Sequence, residues 1–144
     1  MATPEVDATP TNSKPVWTNV GKSYILDSVT VDFSVAGNDL TNGQIMDIYD
    51  IPANTVVEWA VMNVTTADAD VSDVDLGVAA TGVTALDLIQ AGDVSSAVMV
   101  GGAAAETPIV IVGSTAEVVT LTNQDAQALN AAVIQFIVKC TPIG

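Results

Sequence analysis

One stretch, from Gln44 to Val78, constrains the fold of this chain more than any other. Within it, the runs Ile45–Ile51 and Thr55–Thr66 are rich in β-branched and aromatic residues, which favour strands. Between these runs, Pro52 presets the φ angle of a turn, and Asn54 tolerates the left-handed conformation that a tight reversal needs. We therefore predict that the two runs pair as a β-hairpin.

A third strand follows an acidic loop at the end of the same stretch. Polar and apolar residues alternate there, which places Val74, Leu76 and Val78 on one face. We predict that this strand extends the hairpin into a three-stranded meander, around which the rest of the fold is built.

The central strand of this meander is apolar on both faces. Val57, Trp59 and Val61 share one face. The other face carries a second apolar set beside Glu58, namely Val56, Ala60, Met62 and Val64. This pattern predicts that a second sheet, the N-terminal segment or another subunit covers the second face. We expect Trp59 to be buried, so that Trp59→Ala would cost about 3–5 kcal/mol of stability.

Runs between turn residues indicate further strands on both sides of this stretch. They are Tyr24–Val35, with Val29, Val31, Phe33 and Val35 facing inward, then Val94–Val100, Ile109–Val112, Glu117–Thr122 and Ala132–Cys140. The third and fourth of these runs are spaced as a second hairpin. Residues Thr84 to Gly92 are compatible with one helical turn or with an irregular crossing. About eight short strands without a long amphipathic helix predict an all-β protein, an antiparallel β-sandwich of the jelly-roll type.

The N-terminus differs in composition from the rest of the chain. Residues 1–15 are polar and contain three prolines, which predicts an extended N-terminal arm without structure of its own. Residues 16–144 are then a single β-sandwich domain, since a chain of 144 residues suits one domain with one core. The arm is either a disordered tail or a docking arm, and the sequence leaves both open.

The charge of the chain excludes several functions. Seventeen acids stand against three lysines, with no arginine or histidine, for a formal net charge of −14 at pH 7. Nucleic acids and anionic membranes are recognised through lysine and arginine, so neither is an expected partner. Without histidine, the usual Ser-His-Asp and Cys-His relays and the usual zinc ligand are missing. The chain has no signal-peptide pattern and no apolar run of ~20 residues, so we expect synthesis in the cytoplasm of the cell that produces it.

Two features that can carry chemistry have simpler structural interpretations. Cys140, the single cysteine, lies in an alternating apolar run and is expected to be an inert core thiol. The acidic loop offers carboxylates that a calcium ion could use, namely Asp68, Asp70, Asp73 and Asp75. Their spacing lacks the glycine and terminal glutamate of an EF-hand, so structural or solvent-facing roles are favoured. We expect no metal or cofactor site, no catalytic residue and no enzymatic activity.

Four short segments form a further pattern of turn, strand, acidic loop and strand. They are Asn42–Ile45 (NGQI), Asp50–Thr55 (DIPANT), Ala60–Ala67 (AVMNVTTA) and Val74–Gly77 (VDLG). This pattern resembles the head decoration, cement or minor capsid proteins of tailed bacteriophages. The resemblance implies a virion protein on the capsid surface, with the major capsid protein as its partner, and it brings no catalytic residue.

Two functions of different classes follow as hypotheses. The first is a non-enzymatic viral structural protein that binds the outer surface of a phage capsid and stabilises or decorates it. The second is a carbohydrate-binding β-sandwich module or a fibre-like adhesin, although the tryptophans and tyrosines are scattered along the chain. A hydrolase comes third. The second apolar face of the central strand also predicts a symmetric homo-oligomer, with a trimer as the first expectation and a dimer as the second.

Overall fold

Ten β-strands make up the regular structure of the described residues. The computed structural model describes the backbone of residues 5–7, 25–79, 86–101, 110–112 and 115–142, and the side chains of residues 28–78, 88–101 and 115–142. The strands are β1 (Glu5–Asp7), β2 (Ile25–Asp32), β3 (Ile45–Ile51), β4 (Thr55–Thr66), β5 (Val74–Ala79), β6 (Leu86–Gly92), β7 (Met99–Gly101), β8 (Val110–Val112), β9 (Glu117–Asn123) and β10 (Val133–Pro142). Within these ranges, no helix is long and apolar enough to cross a membrane.

The strands form two sheets. The strand order is β1-β3-β9-β5-β6 in the first sheet and β2-β10-β4-β7 in the second, where β8 also pairs with β4. Strand β1 runs parallel to β3, and the other pairs are antiparallel. Apart from β1 and β8, each sheet consists of four antiparallel strands. The predicted antiparallel β-sandwich is confirmed.

The core lies between the two sheets and is built from alternating side chains. Strand β10 alternates strictly between half-buried and buried residues along its whole length. Val74, Leu76 and Val78 are buried on one face of β5, as predicted. Val29, Val31 and Phe33 are buried, as predicted for the run that contains β2, whereas Val35 is 51% exposed. The reason is that β2 ends at Asp32 and the chain turns there.

The predicted hairpin and meander are wrong, although their strands exist. Strand β3 belongs to the first sheet and β4 to the second, and β5 returns to the first sheet. Asn54 adopts the predicted positive φ, at 57°. The turn after Pro52 therefore reverses the chain, but it carries the chain from one sheet to the other. Strand β4 pairs instead with the distant strand β10, from Val133 opposite Thr66 to Pro142 opposite Thr55.

A β-bulge in β4 places Trp59 on the outside of the sandwich. Lys139 lies opposite Trp59, but the next residue of β10 lies opposite Val57, so Glu58 is the extra residue. The inward face consequently changes phase at the bulge and consists of Thr55, Val57, Ala60, Met62 and Val64. Trp59 is 41% exposed. The predicted burial of Trp59 is therefore wrong.

We now expect Trp59→Ala to lower the free energy of unfolding in dilute solution by about 1 kcal/mol or less, because an exposed side chain loses little packing. The matched control is Val57→Ala on the same strand, since Val57 is fully buried and should lose about 2 kcal/mol or more. Urea unfolding measures both variants. Equal losses in the two variants would contradict the observed facing of β4.

Three further segments differ from the sequence-based expectation. Leu86–Gly92 is strand β6, neither a helical turn nor an irregular crossing. Only Met99–Gly101 forms a strand in the run predicted from residue 94. The predicted hairpin of β8 and β9 is wrong, because β8 pairs with β4 and β9 lies between β3 and β5. Turn residues flanking short apolar runs do not distinguish a hairpin from a crossing between sheets.

The predicted arm contains a strand. Glu5–Asp7 forms β1, which continues the first sheet beyond β3 with Glu5 opposite Ile45 and Asp7 opposite Asp47. The predicted boundary between arm and domain, at residue 15, lies outside the described residues.

Candidate interaction surface

The outer face of the first sheet is acidic. We call its outward side chains the aspartate face: Ile45, Asp47, Asp50, Asp75, Val118, Thr120 and Thr122. It carries three carboxylates, and the one lysine whose side chain is described, Lys139, lies on the other sheet. The aspartate face therefore repels a second acidic surface.

The outer face of the second sheet is nearly neutral and more apolar. We call its outward side chains the tryptophan face: Ser28, Thr30, Asp32, Val56, Glu58, Trp59, Val61, Asn63, Met99, Val133, Gln135, Ile137, Lys139 and Thr141. Two carboxylates and one ammonium group give it a net charge of −1. Val61 lies directly opposite Ile137, in the row next to Trp59, so the apolar side chains are contiguous across two strands.

An ion pair stands beside Trp59 at the bulge. Lys139 Nζ lies 2.9 Å from Glu58 Oε2, and the two side chains are 28% and 34% exposed. The hydrogen bond from Lys139 lowers the pKa of Glu58, while partial burial opposes that shift. Because Glu58 is the extra residue of the bulge, the bulge brings its carboxylate to the same side as Lys139.

A network of hydrogen-bonded polar side chains crosses the tryptophan face beside Val61 and Ile137. Asn63 Nδ2 donates to Gln135 Oε1 at 3.2 Å, and Gln135 Nε2 donates to Ser28 Oγ at 3.2 Å. Three strands, β4, β10 and β2, are linked in this way. These polar groups therefore find partners within their own sheet.

The four aspartates of the acidic loop do not share one site. Asp68 is buried, and its Oδ2 accepts hydrogen bonds from the backbone N–H groups of Asn130 and Ala131 at 2.9 and 3.0 Å. Asp70 is exposed. Asp75 accepts from the backbone N–H of Ala91 and from the Gln124 amide. Among the described residues, no group of three or more potential ligands could hold a metal ion.

Calcium is accordingly expected to bind no tighter than about millimolar, the weak end of protein calcium sites. Asp68 is committed to backbone hydrogen bonds, and Asp70 points away into solvent. Titration calorimetry with calcium chloride measures this. A micromolar site that disappears in Asp70→Ala would contradict the expectation.

Two carboxyl groups near this loop have pKa values shifted in opposite directions. Burial raises the pKa of Asp73 above its ordinary value of 3.8, and the nearby charges of Asp75 and Asp125 raise it further. The backbone N–H groups of Ser72 and Gln127 lower the pKa of Asp125. Folding therefore favours the protonated form of Asp73 and the ionised form of Asp125.

These shifts predict opposite pH dependences for two variants. Asp73→Asn should melt above the parent at pH 7, and this gain should shrink as the pH falls through the raised pKa of Asp73 towards 3.8. Asp125→Ala should melt below the parent at pH 7, and this loss should fade only as the pH falls below 3.8, through the lowered pKa. Thermal melts between pH 7 and about pH 2 measure both effects. Shifts of the same sign in both variants would contradict the assignment.

Cys140 lies in the core, as predicted. Its side chain is buried on the inward face of β10. Burial raises the pKa of the Cys140 thiol to about 12, with a smaller contribution from the charge of Glu58. A thiol in this state carries almost no thiolate at neutral pH and is a poor nucleophile.

The sequence pointed to the tryptophan face but assigned its members incorrectly. An apolar second face on β4 was expected, and Val56 does lie there. Ala60, Met62 and Val64 face the core instead, while Trp59 and Val61 face outward. The ion pair of Glu58 and Lys139 was missed, because it depends on the pairing of β4 with β10.

The fold is thus a β-sandwich with one acidic and one nearly neutral outer face. No known family model matches the sequence, and no curated protein matches it. Among solved structures, a chain from "Capsid of Ralstonia phage GP4" has a TM-score of 0.71 and 14% sequence identity, over 98% of this chain and 99% of that one. A chain from "Acidic stable capsid structure of Helicobacter pylori bacteriophage KHP30" has a TM-score of 0.51 and 15% identity, over 86% of this chain and 92% of that one. At these identities the similarity establishes a shared fold.

Proposed function

We propose that this protein is a non-enzymatic structural protein of a phage virion, which binds the outer surface of the capsid and stabilises or decorates it. The observation that carries the proposal is the similarity in fold to a chain of a phage capsid structure over almost the full length of both chains. The resemblance of the turn, strand and acidic-loop pattern to phage decoration and cement proteins supports the same function. Its partner is then the major capsid protein, and its location is the virion.

The chemistry of the described residues agrees with a structural function. The single thiol is buried with a raised pKa, and the buried carboxylate of Asp68 is used for backbone hydrogen bonds. The net charge of −14 argues against direct contact with nucleic acid or with an anionic membrane. A structural protein without a catalytic site functions by binding its partners through its outer surfaces.

The proposal includes a symmetric homo-oligomer, a trimer or a dimer, because a second subunit would cover the outward apolar side chains of β4, which are Val56, Trp59 and Val61. It also includes an N-terminal arm, residues 1–15, and a single β-sandwich domain, residues 16–144. Strand β1 supports a docking function for this arm, because its backbone already pairs with the edge of β3. An extended segment that adds a strand to a sheet edge is a common mode of recognition.

Binding to phage heads tests the proposal. Heads assembled from the major capsid protein of the encoding virus, without this chain, are sedimented in its presence, and saturable co-sedimentation is expected. The matched sample uses a variant that lacks residues 1–15, which should bind more weakly if the arm docks. Absence of the full chain from the pelleted heads would refute the proposed function.

A carbohydrate-binding function is the second candidate, and one observation favours it. Trp59 is exposed on a sheet face that also presents the amides of Asn63 and Gln135. Aromatic rings and amides are common in sugar sites. The nearest outward neighbours of Trp59, however, are the ion pair of Glu58 and Lys139 and the aliphatic side chains of Val61 and Ile137. Binding of the chain to a glycan array, without binding to heads, would favour this second function.

A further inference from the structure

We propose that the tryptophan face is the contact between two copies of this chain, which pack face to face as a twofold-symmetric dimer. The inference rests on the proposed function only for the existence of a homo-oligomer. The inference goes beyond the proposed function by naming the contact surface and by choosing the dimer over the trimer.

Apolar side chains are exposed on the tryptophan face. Trp59 is 41% exposed and Met99 is 60% exposed, and Val61 and Ile137 lie side by side between them. Gly101, opposite Val61, leaves open space, since a Cβ atom built on it would meet nothing within 4 Å. An exposed apolar patch that includes a tryptophan is typical of a surface that is covered in the assembled state.

The distribution of charge also favours the tryptophan face as the contact. The whole chain carries −14, so most approaches of a second copy are repulsive. The tryptophan face carries two carboxylates and one ammonium group, whereas the aspartate face carries three carboxylates and no lysine. Packing through the tryptophan face therefore leaves the three carboxylates of the aspartate face of each copy outside the contact.

The tryptophan face can lose water at a low cost in free energy. Glu58 is paired with Lys139, and the amides of Asn63 and Gln135 are linked to each other and to Ser28. Burying a polar group costs free energy chiefly when it has no partner. These charged and amide groups of the tryptophan face already have partners within their own sheet.

The charges at the two ends of the tryptophan face favour a twofold arrangement. Asp32 pairs with Val133 at one end of the face, and Lys139 lies at the other end of β10. A twofold axis that crosses the strands brings the Lys139 end of each copy towards the Asp32 end of the other. Sheets that pack face to face in this way have aligned strands about 10 Å apart. The contact is self-complementary, so it closes at two subunits.

Matched Val→Glu variants test this proposal. Val61 and Val118 are both half-buried, outward-facing valines on inner strands of their sheets, the first on the tryptophan face and the second on the aspartate face. Sedimentation velocity over a dilution series should find the parent as a dimer that strengthens with salt, because salt screens the repulsion. Val61→Glu should weaken the dimer by about a hundredfold or more. Val118→Glu should leave the dimer unchanged in the same series.

A second variant covers the case in which Val61→Glu does not fold. Trp59→Ser changes an exposed side chain outside the core and should also weaken the dimer. In a Trp17→Phe background, the emission of Trp59 should shift to shorter wavelength as the protein concentration rises and the dimer forms. Circular dichroism confirms that each variant is folded.

The outcomes separate this inference from the proposed function. A parent that stays monomeric at high concentration and high salt, a trimer, or equal weakening by Val61→Glu and Val118→Glu would each overturn it. A monomer that binds glycans through Trp59 would also overturn it. A dimer that dissociates only with Val61→Glu or Trp59→Ser, but does not bind heads, would support this inference and refute the capsid function.

Discussion

Phe136→Ala is expected to lower the free energy of unfolding by about 3–5 kcal/mol. Phe136 is fully buried on β10, an inner strand of the second sheet, where it lies opposite Val29 on one side and Met62 on the other. Its carbonyl also accepts a hydrogen bond from the buried Tyr49 hydroxyl of the first sheet, at 2.9 Å. A domain of this size has about 5–15 kcal/mol of stability, so the loss is a large part of the total.

The matched control is Ile137→Ala, the next residue on the same strand. Ile137 is half-buried and faces outward, so its truncation should cost about 1 kcal/mol in dilute solution, where a dimer contact does not contribute. Guanidinium unfolding at equal protein concentration compares the two variants. Losses within 1 kcal/mol of each other would mean that β10 does not present alternate side chains to the core, and the sandwich as described would be incorrect.

Strand positions could be predicted from the sequence because alternation is a local signal. The inward side chains of β5 and β10 follow a period of two, and each position can be assigned from its neighbours alone. The class of fold followed for the same reason, since short alternating runs separated by turn residues and lacking helical periodicity indicate an all-β sandwich.

Strand pairing could not be predicted in the same way. The turn with Pro52 and Asn54 has the chemistry of a reversal, and a reversal serves a hairpin and a crossing between sheets equally well. The choice depends on β9 and β10, which pair with β3 and β4 from more than 60 residues away. Nothing in the residues of the turn reports on those distant partners.

The candidate surface was predicted only in part, for a related reason. A bulge adds one residue to a strand and exchanges the two faces beyond it. The extra residue here is Glu58, so the alternation read from Val57 forward puts Trp59 and Val61 on the wrong side. The sequence does carry a faint sign of the bulge, since Glu58 is the one charged residue in the apolar part of β4.

Predictions from composition and predictions from spacing differ in how far they depend on the fold. The absence of histidine and arginine is a property of composition and does not depend on the fold. The aspartates of the acidic loop looked equivalent in the sequence, yet the structure separates a buried Asp68 from an exposed Asp70. Only the position of the loop against the segment before β10 makes that distinction.

Asp68→Ala is expected to lower the free energy of unfolding by about 3 kcal/mol, which corresponds to a fall of roughly 10 °C in Tm. The Asp68 carboxylate accepts two backbone N–H groups, those of Asn130 and Ala131. Its own backbone N–H donates to Val94, so the residue ties the acidic loop to two other segments. Removing the side chain leaves two partly buried N–H donors without an acceptor. The desolvation free energy of these donors is the main part of the expected loss in stability.

Two comparisons distinguish this anchoring function from a general effect of negative charge. Asp70→Ala removes the same charge from the same loop at an exposed position, and it should leave Tm unchanged or raise it slightly, because the chain is strongly acidic. Asp68→Asn keeps an oxygen acceptor and should recover part of the loss. Thermal melts at pH 7 measure all three variants. If Asp68→Ala and Asp70→Ala have the same Tm, the hydrogen bonds to Asn130 and Ala131 do not hold the loop. The stability of the loop must then come from the apolar contacts of Val71 and Val94 alone.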